Sequence, residues 1–355
     1  MRPFKYIAVK TIAEACGVLA EHGADARILG GGTDLLIEWR RASKKAPKVV
    51  LDISRVAELG GIAESDGSLT IGPLATHADL QCSDLVAKFA PLLGSAAAAI
   101  GSPQIRARGT VGGNIMNAAA CADTVPPLVA LGAAVTLQSN GGTRELALAD
   151  LFLKPYQTQA RPDELLTGIR FPKLPVDARS AFIKLGRRNA LSISRMSVAA
   201  VLQVGGDGRV AQACIVPGAA FPTWKRVPEA EQMLLGEKPS EKLFAAAGQK
   251  VSEEMIKVTG RRWSTEYKEP VIAVLVRRAL EDCAKVESAV PNAPSRRLRP
   301  ATVGASAPGS GALGKARPSA PITTTINGRR QKLLLPAHHT LLEVLRDDLG
   351  LTGTL

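Results

Sequence analysis

The sequence predicts an α+β protein: a two-lobed domain, then a small domain made of a three-stranded antiparallel sheet plus helices. Three observations carry this prediction. Residues 26–40 read as a short strand, a glycine turn and a helix start, the makings of a compact α/β lobe. Residues 59–71 and 134–148 read as hairpins turning at Asp66-Gly67 and Gly141-Gly142, so a second lobe rests on antiparallel pairing. Beyond Pro172 and Pro175, three strand-like runs precede a series of helical patterns, the segregated order of an α+β domain. With 355 residues, 46% of them hydrophobic, the chain can give each unit its own core. Aromatic residues are only 4%, so those cores must be aliphatic.

The elements follow in order. Thr11-Ile12-Ala13-Glu14 is a capping box. The helix that it opens carries Ile12, Ala15, Cys16, Leu19 and Ala20 on one face and stops at Gly23. Residues 26–29 form a strand; Gly30-Gly31-Gly32 turn; a helix starts over 33–40 with Thr33 or Asp34 as N-cap. The apolar run 48–53 is a buried strand that completes a lobe over 1–55. A second lobe, 56–175, holds the 59–71 hairpin, a helical stretch over 76–100 and a second glycine segment, Gly109-Thr110-Val111-Gly112-Gly113-Asn114. A helix over 123–131, the 134–148 hairpin and a strand over 164–171 follow. The next domain, 176–287, has strands at 181–185, 198–204 and 210–216, the last two joined by Gly205-Gly206-Asp207-Gly208. Its helices fall near 226–235, 240–252 and 268–286. Residues 288–321 are Pro/Ala/Ser-rich and read as a flexible linker. A last segment, 322–355, reads as a strand and turn, a run Leu333-Leu334-Leu335 and a helix over 340–349.

Several function classes drop out. The net charge is +13, but Arg296, Arg297, Arg299, Lys315 and Arg317 sit in the linker with no aromatic residues among them. Without stacking residues or a recognition motif this is a solvated basic stretch, at most drawn to an acidic partner surface, and no nucleic acid is expected. No apolar run is long enough for a membrane span, and no leader is visible at the N-terminus. Cys16, Cys82, Cys121, Cys214 and Cys283 are scattered without C-x-x-C, which excludes ordinary zinc or iron–sulfur spacing and suits a reducing cytoplasm. His22, His77, His338 and His339 form no triad or metal pattern. No residue reads as a nucleophile or general acid/base, which leaves the chemistry to a bound cofactor.

The two glycine segments point to that cofactor. Glycine lets the backbone approach a phosphate and adopt positive φ, and successive N–H groups in such a turn make an anion-binding nest. The spacing is neither G-x-G-x-x-G nor G-x-x-x-x-G-K-[ST], so neither a Rossmann fingerprint nor a P-loop is present. Two such segments in different lobes suggest one long ligand clasped from both sides.

Together with residues 117–127 (Asn-Ala-Ala-Ala-Cys-Ala-Asp-Thr-Val-Pro-Pro) and 182–188 (Phe-Ile-Lys-Leu-Gly-Arg-Arg), these segments resemble the FAD-binding medium subunit of the molybdenum hydroxylases. That family includes xanthine dehydrogenase, carbon monoxide dehydrogenase and 4-hydroxybenzoyl-CoA reductase. The resemblance runs from Phe4 to about residue 286 and implies a two-lobed FAD-binding domain of the PCMH type. It implies that Ile28, Leu29, Gly30, Gly31, Gly32, Thr33, Asp34 and Leu35 wrap the pyrophosphate of a noncovalent FAD. Thr110, Val111, Gly112, Gly113 and Asn114 would grip it from the other lobe. Asp123 would accept a cofactor hydrogen bond, and Lys184 would place a positive charge by the flavin ring. Ile100 and Leu166 would pack against the cofactor. On the residues alone, each glycine segment also reads as a plain turn. Likewise Asp123 reads as a helix N-cap, Lys184 as an exposed strand lysine, and Ile100 and Leu166 as core. Cys121 reads as a small buried residue.

The resemblance further implies an electron relay. A large subunit would carry the molybdenum cofactor, a small subunit would carry two-iron two-sulfur clusters, and FAD on this chain would pass electrons to an external acceptor. The tail over 322–355 resembles the opening of a ferredoxin-like two-iron two-sulfur domain, ending at Leu355 before any cluster cysteine, so no cluster is expected on this chain. Two other readings stay open here: a stand-alone FAD-dependent oxidase or reductase, and a non-catalytic nucleotide-binding adaptor with a basic tail.

Overall fold

The structure, a computed structural model, describes residues 4–40, 47–188, 191–261, 263–284, 320–326 and 329–335. The first lobe contains β1 (Lys5–Ala8), α1 (Ile12–His22), β2 (Ala26–Leu29), α2 (Leu35–Arg40) and β3 (Val49–Asp52). Its three strands are parallel in the order β1-β3-β2. β3 is central, and all four of its residues are buried, which is why a continuous Val-Val-Leu run was needed there. α1 packs Ala15, Cys16 and Leu19 into this core. The Thr11 side chain caps the Glu14 N–H as the motif predicts, but the Glu14 carboxylate accepts from the Lys10 N–H at 2.8 Å rather than from Thr11. The short β1, mostly exposed, left no periodic signal in the sequence.

The second lobe opens with the hairpin β4 (Ile62–Ser65) and β5 (Ser68–Ile71). Asp66 and Gly67 both take positive φ, 44° and 77°, as a tight hairpin turn of this kind requires. The helical stretch 76–100 is three helices, not one: α3 (His77–Cys82), α4 (Asp84–Phe89) and α5 (Pro91–Ala98). Ser83 caps α4 by accepting from the Val86 N–H, and Pro91 starts α5, so the sequence carried the break signals. Next come α6 (Pro103–Arg106), α7 (Val111–Asn117), α8 (Val125–Ala130), β6 (Ala134–Ser139), β7 (Gly142–Ala147), β8 (Phe152–Lys154), β9 (Gln157–Thr158) and β10 (Leu165–Pro172). The main sheet has the order β4-β5-β10-β6-β7, so the last strand sits in the middle, antiparallel to β5 and β6. Leu165 enters the core of the first lobe and Leu166 that of the second, which places β10 against both.

The third part contains β11 (Ala178–Leu185), β12 (Met196–Val204), β13 (Val210–Gly218), α9 (Pro228–Gln232), α10 (Glu241–Thr259) and α11 (Thr265–Ala284). Its antiparallel sheet has the order β11-β12-β13. Val198, Ala200 and Leu202 face the core made with α10 and α11, whereas Ala199 and Val201 join the core of the second lobe. The sheet is therefore a wall shared by two cores. α10 and α11 lie very close: a Cβ on Gly248 would stand 2.3 Å from the Ala273 carbonyl oxygen.

Residues 1–295 form one compact unit and 296–355 a second. In the second, β14 (Ala320–Ile326) and β15 (Arg329–Leu335) form an antiparallel hairpin, with β14 beginning two residues before the strand expected from Ile322. The linker up to 319 and the helix expected over 340–349 lie outside the described residues. Among the described residues no helix is long and apolar enough to cross a membrane.

The α10–α11 contact has a direct test. Gly248→Ala drives a methyl into a backbone carbonyl that cannot move without shifting a helix. Overpacking of this kind costs about 1–3 kcal/mol. Urea unfolding of the variant should show a lower midpoint; an unchanged midpoint would mean that the helices are further apart.

Candidate functional site

The two glycine segments touch each other. The first runs from the end of β2, Ile28 and Leu29, through Gly30 to Asp34 and into α2 at Leu35. A Cβ on Gly31 would lie 1.9 Å from the carbonyl oxygen of Arg108, and one on Gly30 would lie 3.3 Å from Thr110 Oγ1. Gly32 takes φ +76°, and its carbonyl accepts the Leu36 N–H at 3.1 Å to open α2. Glycine is therefore required at Gly31 by the neighbouring backbone and at Gly32 by conformation. Among the described residues none accepts from the backbone N–H groups of Gly30, Gly31, Gly32, Thr33 or Asp34. Five successive free donors at a turn entering a helix suit a diphosphate.

The second segment departs from the sequence reading. It is not a loop but the first turn of α7, with Thr110 as N-cap accepting the Gly113 N–H at 3.1 Å. The Val111 N–H donates to the Ala75 carbonyl, the Gly112 N–H to Pro73 and the Asn114 N–H to Thr110. These backbone donors are spent inside the protein, so this segment does not offer a second nest. Gly112 is explained by packing, since a Cβ there would sit 2.5 Å from Pro73 Cβ. What α7 brings to the site is its side chains. Asn117, singled out only as the start of a motif, donates from Nδ2 to Asp34 Oδ2 at 3.0 Å and ties α7 to the first segment. The Thr124 hydroxyl donates to Asn114 Oδ1 at 2.7 Å.

Asp123 is not a helix cap. α8 starts at Val125, and the buried Asp123 carboxylate accepts from Lys184 Nζ at 2.7 Å through Oδ2 and from the Ser194 hydroxyl through Oδ1. Lys184 is correspondingly no exposed strand lysine; its ammonium also donates to the Ala99 carbonyl at 2.9 Å. Burial pushes the Asp123 carboxyl up from its ordinary value, while the Lys184 ammonium and the Ser194 hydroxyl pull it back. Ile100 is half-buried on the same turn as Ala99, where Arg106 donates to the carbonyls of Ile100 and Gly101 at 3.0 and 3.2 Å. Leu166 is buried in the core of the second lobe. Contacts thus run without interruption from Gly31 to Arg108, Asp34 to Asn117, Asn114 to Thr124, Asp123 to Lys184 and Lys184 to Ala99. Cys121, read from the sequence as buried, is half-buried; burial raises its thiol, and Asp123 and Asp34 raise it further. All five cysteines are free thiols, and no cluster of three metal-ligating side chains occurs among the described residues.

The glycine turn of an α/β lobe therefore meets an antiparallel lobe, and Lys184 from the third sheet reaches the buried Asp123 of that second lobe, a layout suited to a large nucleotide cofactor. The comparisons agree. Residues 2–174 match the FAD binding domain in molybdopterin dehydrogenase, and residues 181–283 match the CO dehydrogenase flavoprotein C-terminal domain. Subunit alpha of the 6-hydroxypseudooxynicotine dehydrogenase complex of Paenarthrobacter nicotinovorans is 33% identical over 284 residues, 79% of this chain and 95% of that one. The carbon monoxide dehydrogenase medium chain of Afipia carboxidovorans is 31% identical over 281 residues, 78% of this chain and 96% of that one. Among solved structures, a carbon monoxide dehydrogenase from Hydrogenophaga pseudoflava superposes with a TM-score of 0.75 at 30% identity, covering 80% of this chain and 99% of the other. The chain belongs to the family of FAD-binding medium subunits of the molybdopterin dehydrogenases.

Two outcomes follow from the geometry. Gly31→Ala cannot keep the Arg108 carbonyl where it is, so the two segments must part. The variant should emerge from desalting with little FAD, and full retention would disprove the contact. His77, 3% exposed, lies against Gly109, and burial, aided by Arg106, lowers its pKa to about 4. Its folded value is below the unfolded 6.5, so the stability it confers is present above pH 6.5 and is lost as pH falls towards 4. One pKa unit corresponds to about 1.4 kcal/mol, so the loss is on the order of 3 kcal/mol. Unfolding curves of His77→Gln should be flatter across that window than those of the parent.

Proposed function

We propose that this chain holds a noncovalent FAD and relays electrons between the iron–sulfur clusters of a partner and an external acceptor. The observation that carries the reading is the row of free N–H groups from Gly30 to Asp34 beside the buried Asp123–Lys184 pair. The first suits a pyrophosphate, and the second provides a polar, water-poor wall for a ring that changes charge on reduction. FAD, when bound, supplies the exchange of one or two electrons; this chain binds it, orients it and tunes its surroundings. Ile28 to Leu35 would hold the pyrophosphate. Thr110, Asn114 and Asn117 on or beside α7 would line the same ligand, with Val111, Gly112 and Gly113 supporting it through packing. Ile100 would face the cofactor. The domains would be 1–175 for FAD binding, 176–287 for the C-terminal domain, 288–321 for a linker and 322–355 for a ferredoxin-like segment.

The relatives support a setting in a larger complex. One is named as a subunit of a dehydrogenase complex and others as medium chains or FAD-binding subunits. By that similarity the chain works in a hetero-oligomer. Its partners are a large molybdenum-cofactor subunit and a small iron–sulfur subunit, which carry the metal centres. The five free thiols favour a cytoplasmic setting.

The purified chain should be yellow, with a flavin spectrum whose chromophore leaves the protein on denaturation. A colourless protein, or colour that stays on the denatured chain, would overturn noncovalent binding. Lys184→Met should lower the flavin midpoint potential in a mediated redox titration run at alkaline pH, where Asp123 stays ionised without its partner and its charge is left uncompensated. The effect is on the order of 1–3 kcal/mol at intermediate dielectric. Adding Asp123→Asn restores neutrality and should recover most of the shift; a potential indifferent to both changes would place the pair away from the ring.

A further inference from the structure

The segment joining β11 to β12 leaves the sheet at Leu185 and returns at Met196, and the Arg195 N–H donates to the Leu185 carbonyl at 2.8 Å to close its base. Its surface residues are open: Leu191 is 54% and Ile193 75% exposed, and Arg195 lies over the Tyr267 ring at 5.3 Å. Among the segment's described residues only Ser194 is buried. Its hydroxyl donates to Asp123 Oδ1, the carboxylate oxygen that Lys184 does not take. Lys184 and Ser194 therefore leave the same end of one strand pair and occupy both oxygens of one carboxylate. That carboxylate belongs to the segment between α7 and α8, and α7 ends at Asn117, which holds Asp34 of the first glycine segment.

We infer that Ser194 is a positioning residue for the cofactor site: its hydroxyl fixes Asp123, and through Asp123 it sets the direction of the Lys184 ammonium and the docking of residues 191–195. This rests on the reading of Asp123 and Lys184 as cofactor-facing groups.

A buried carboxylate oxygen without a donor costs far more than an exposed one, and the pair is strong only while both oxygens are satisfied. Removing the hydroxyl leaves Oδ1 bare in a place where burial already favours the neutral acid. Once protonated, Asp123 no longer offsets the Lys184 charge, and the ammonium keeps only the Ala99 carbonyl. The titratable and charged groups around Asp123 are Lys184 on β11, Cys121 on its own segment and, through Cys121, Asp34 before α2. The consequence is a pH-dependent hold on the cofactor that reports on one hydroxyl.

The test uses the full chain loaded with FAD. The parent, Ser194→Ala and Ser194→Thr are desalted over a series of pH values and the retained flavin is read from the visible spectrum. Ser194→Ala should lose half of its FAD about one pH unit above the parent, a roughly tenfold change in proton affinity. Ser194→Thr, which keeps the hydroxyl, should restore the parent profile. Asp123→Asn, which cannot ionise, should hold FAD at the weak acid-side level across the whole pH series, and Ser194→Ala should change nothing further in that background. If Ser194→Ala does not fold, Ser194→Cys, a weaker donor of similar size, should move the profile the same way. An alanine or cysteine variant that melts lower yet keeps the parent pH profile, or one that still shifts it without the Asp123 carboxylate, overturns the positioning role alone. A parent chain that holds no FAD at any pH overturns the proposed function along with it.

Discussion

The site depends on backbone meeting backbone at Gly31. Nothing but hydrogen fits between that residue and the Arg108 carbonyl, so the α/β lobe and the turn leading into α7 meet at a fixed distance. Gly30 against Thr110 and Asn117 against Asp34 then follow as neighbours of the same contact. The free N–H row of the first segment lies on the same turn as this contact. The other segment has turned its own donors inward, onto Pro73 and Ala75, and stands as a rigid wall.

That division of labour was only half visible in the sequence. Both glycine segments could be found, because glycine clusters beside small polar residues mark close backbone approach. What each glycine approaches could not. Gly112 reads like a phosphate-binding glycine but meets Pro73, a residue well before it in the chain. The elements with strong local signals were legible: the α1 cap, the Asp66-Gly67 turn, the apolar β3 run and the strands of the third sheet. β1, β8 and β9 were missed because strands of two to four mostly exposed residues carry no period. The helical stretch over 76–100 hid two breaks whose signals, Ser83 and Pro91, were present but were outweighed by a long alanine- and leucine-rich pattern.

Asp123 and Lys184 show the same limit for side chains. Their type and order marked them as candidates, yet each had a bland alternative, a helix cap and a surface lysine. The choice needed a contact between residues 61 positions apart. Ser194 lay wholly beyond reach, since a lone serine in a loop has no signature until a buried carboxylate is found facing it. Such a buried pair contributes little to net stability but is costly to break from one side, which makes it suited to holding geometry.

β12 carries a different consequence. Alternate residues along it belong to two different cores, Val198, Ala200 and Leu202 on one side and Ala199 and Val201 on the other. A slip of one residue in its pairing would exchange both sets at once, so two hydrophobic interiors enforce a single register. Neither interior can come apart without stripping one face of that strand. The antiparallel lobe and the C-terminal helices are thus bound into one cooperative unfolding unit, although two separate family models describe them. A fragment cut between those two regions would expose Ala199, Val201, Cys214 and Val216 to water and would be expected to aggregate rather than survive as an independent module.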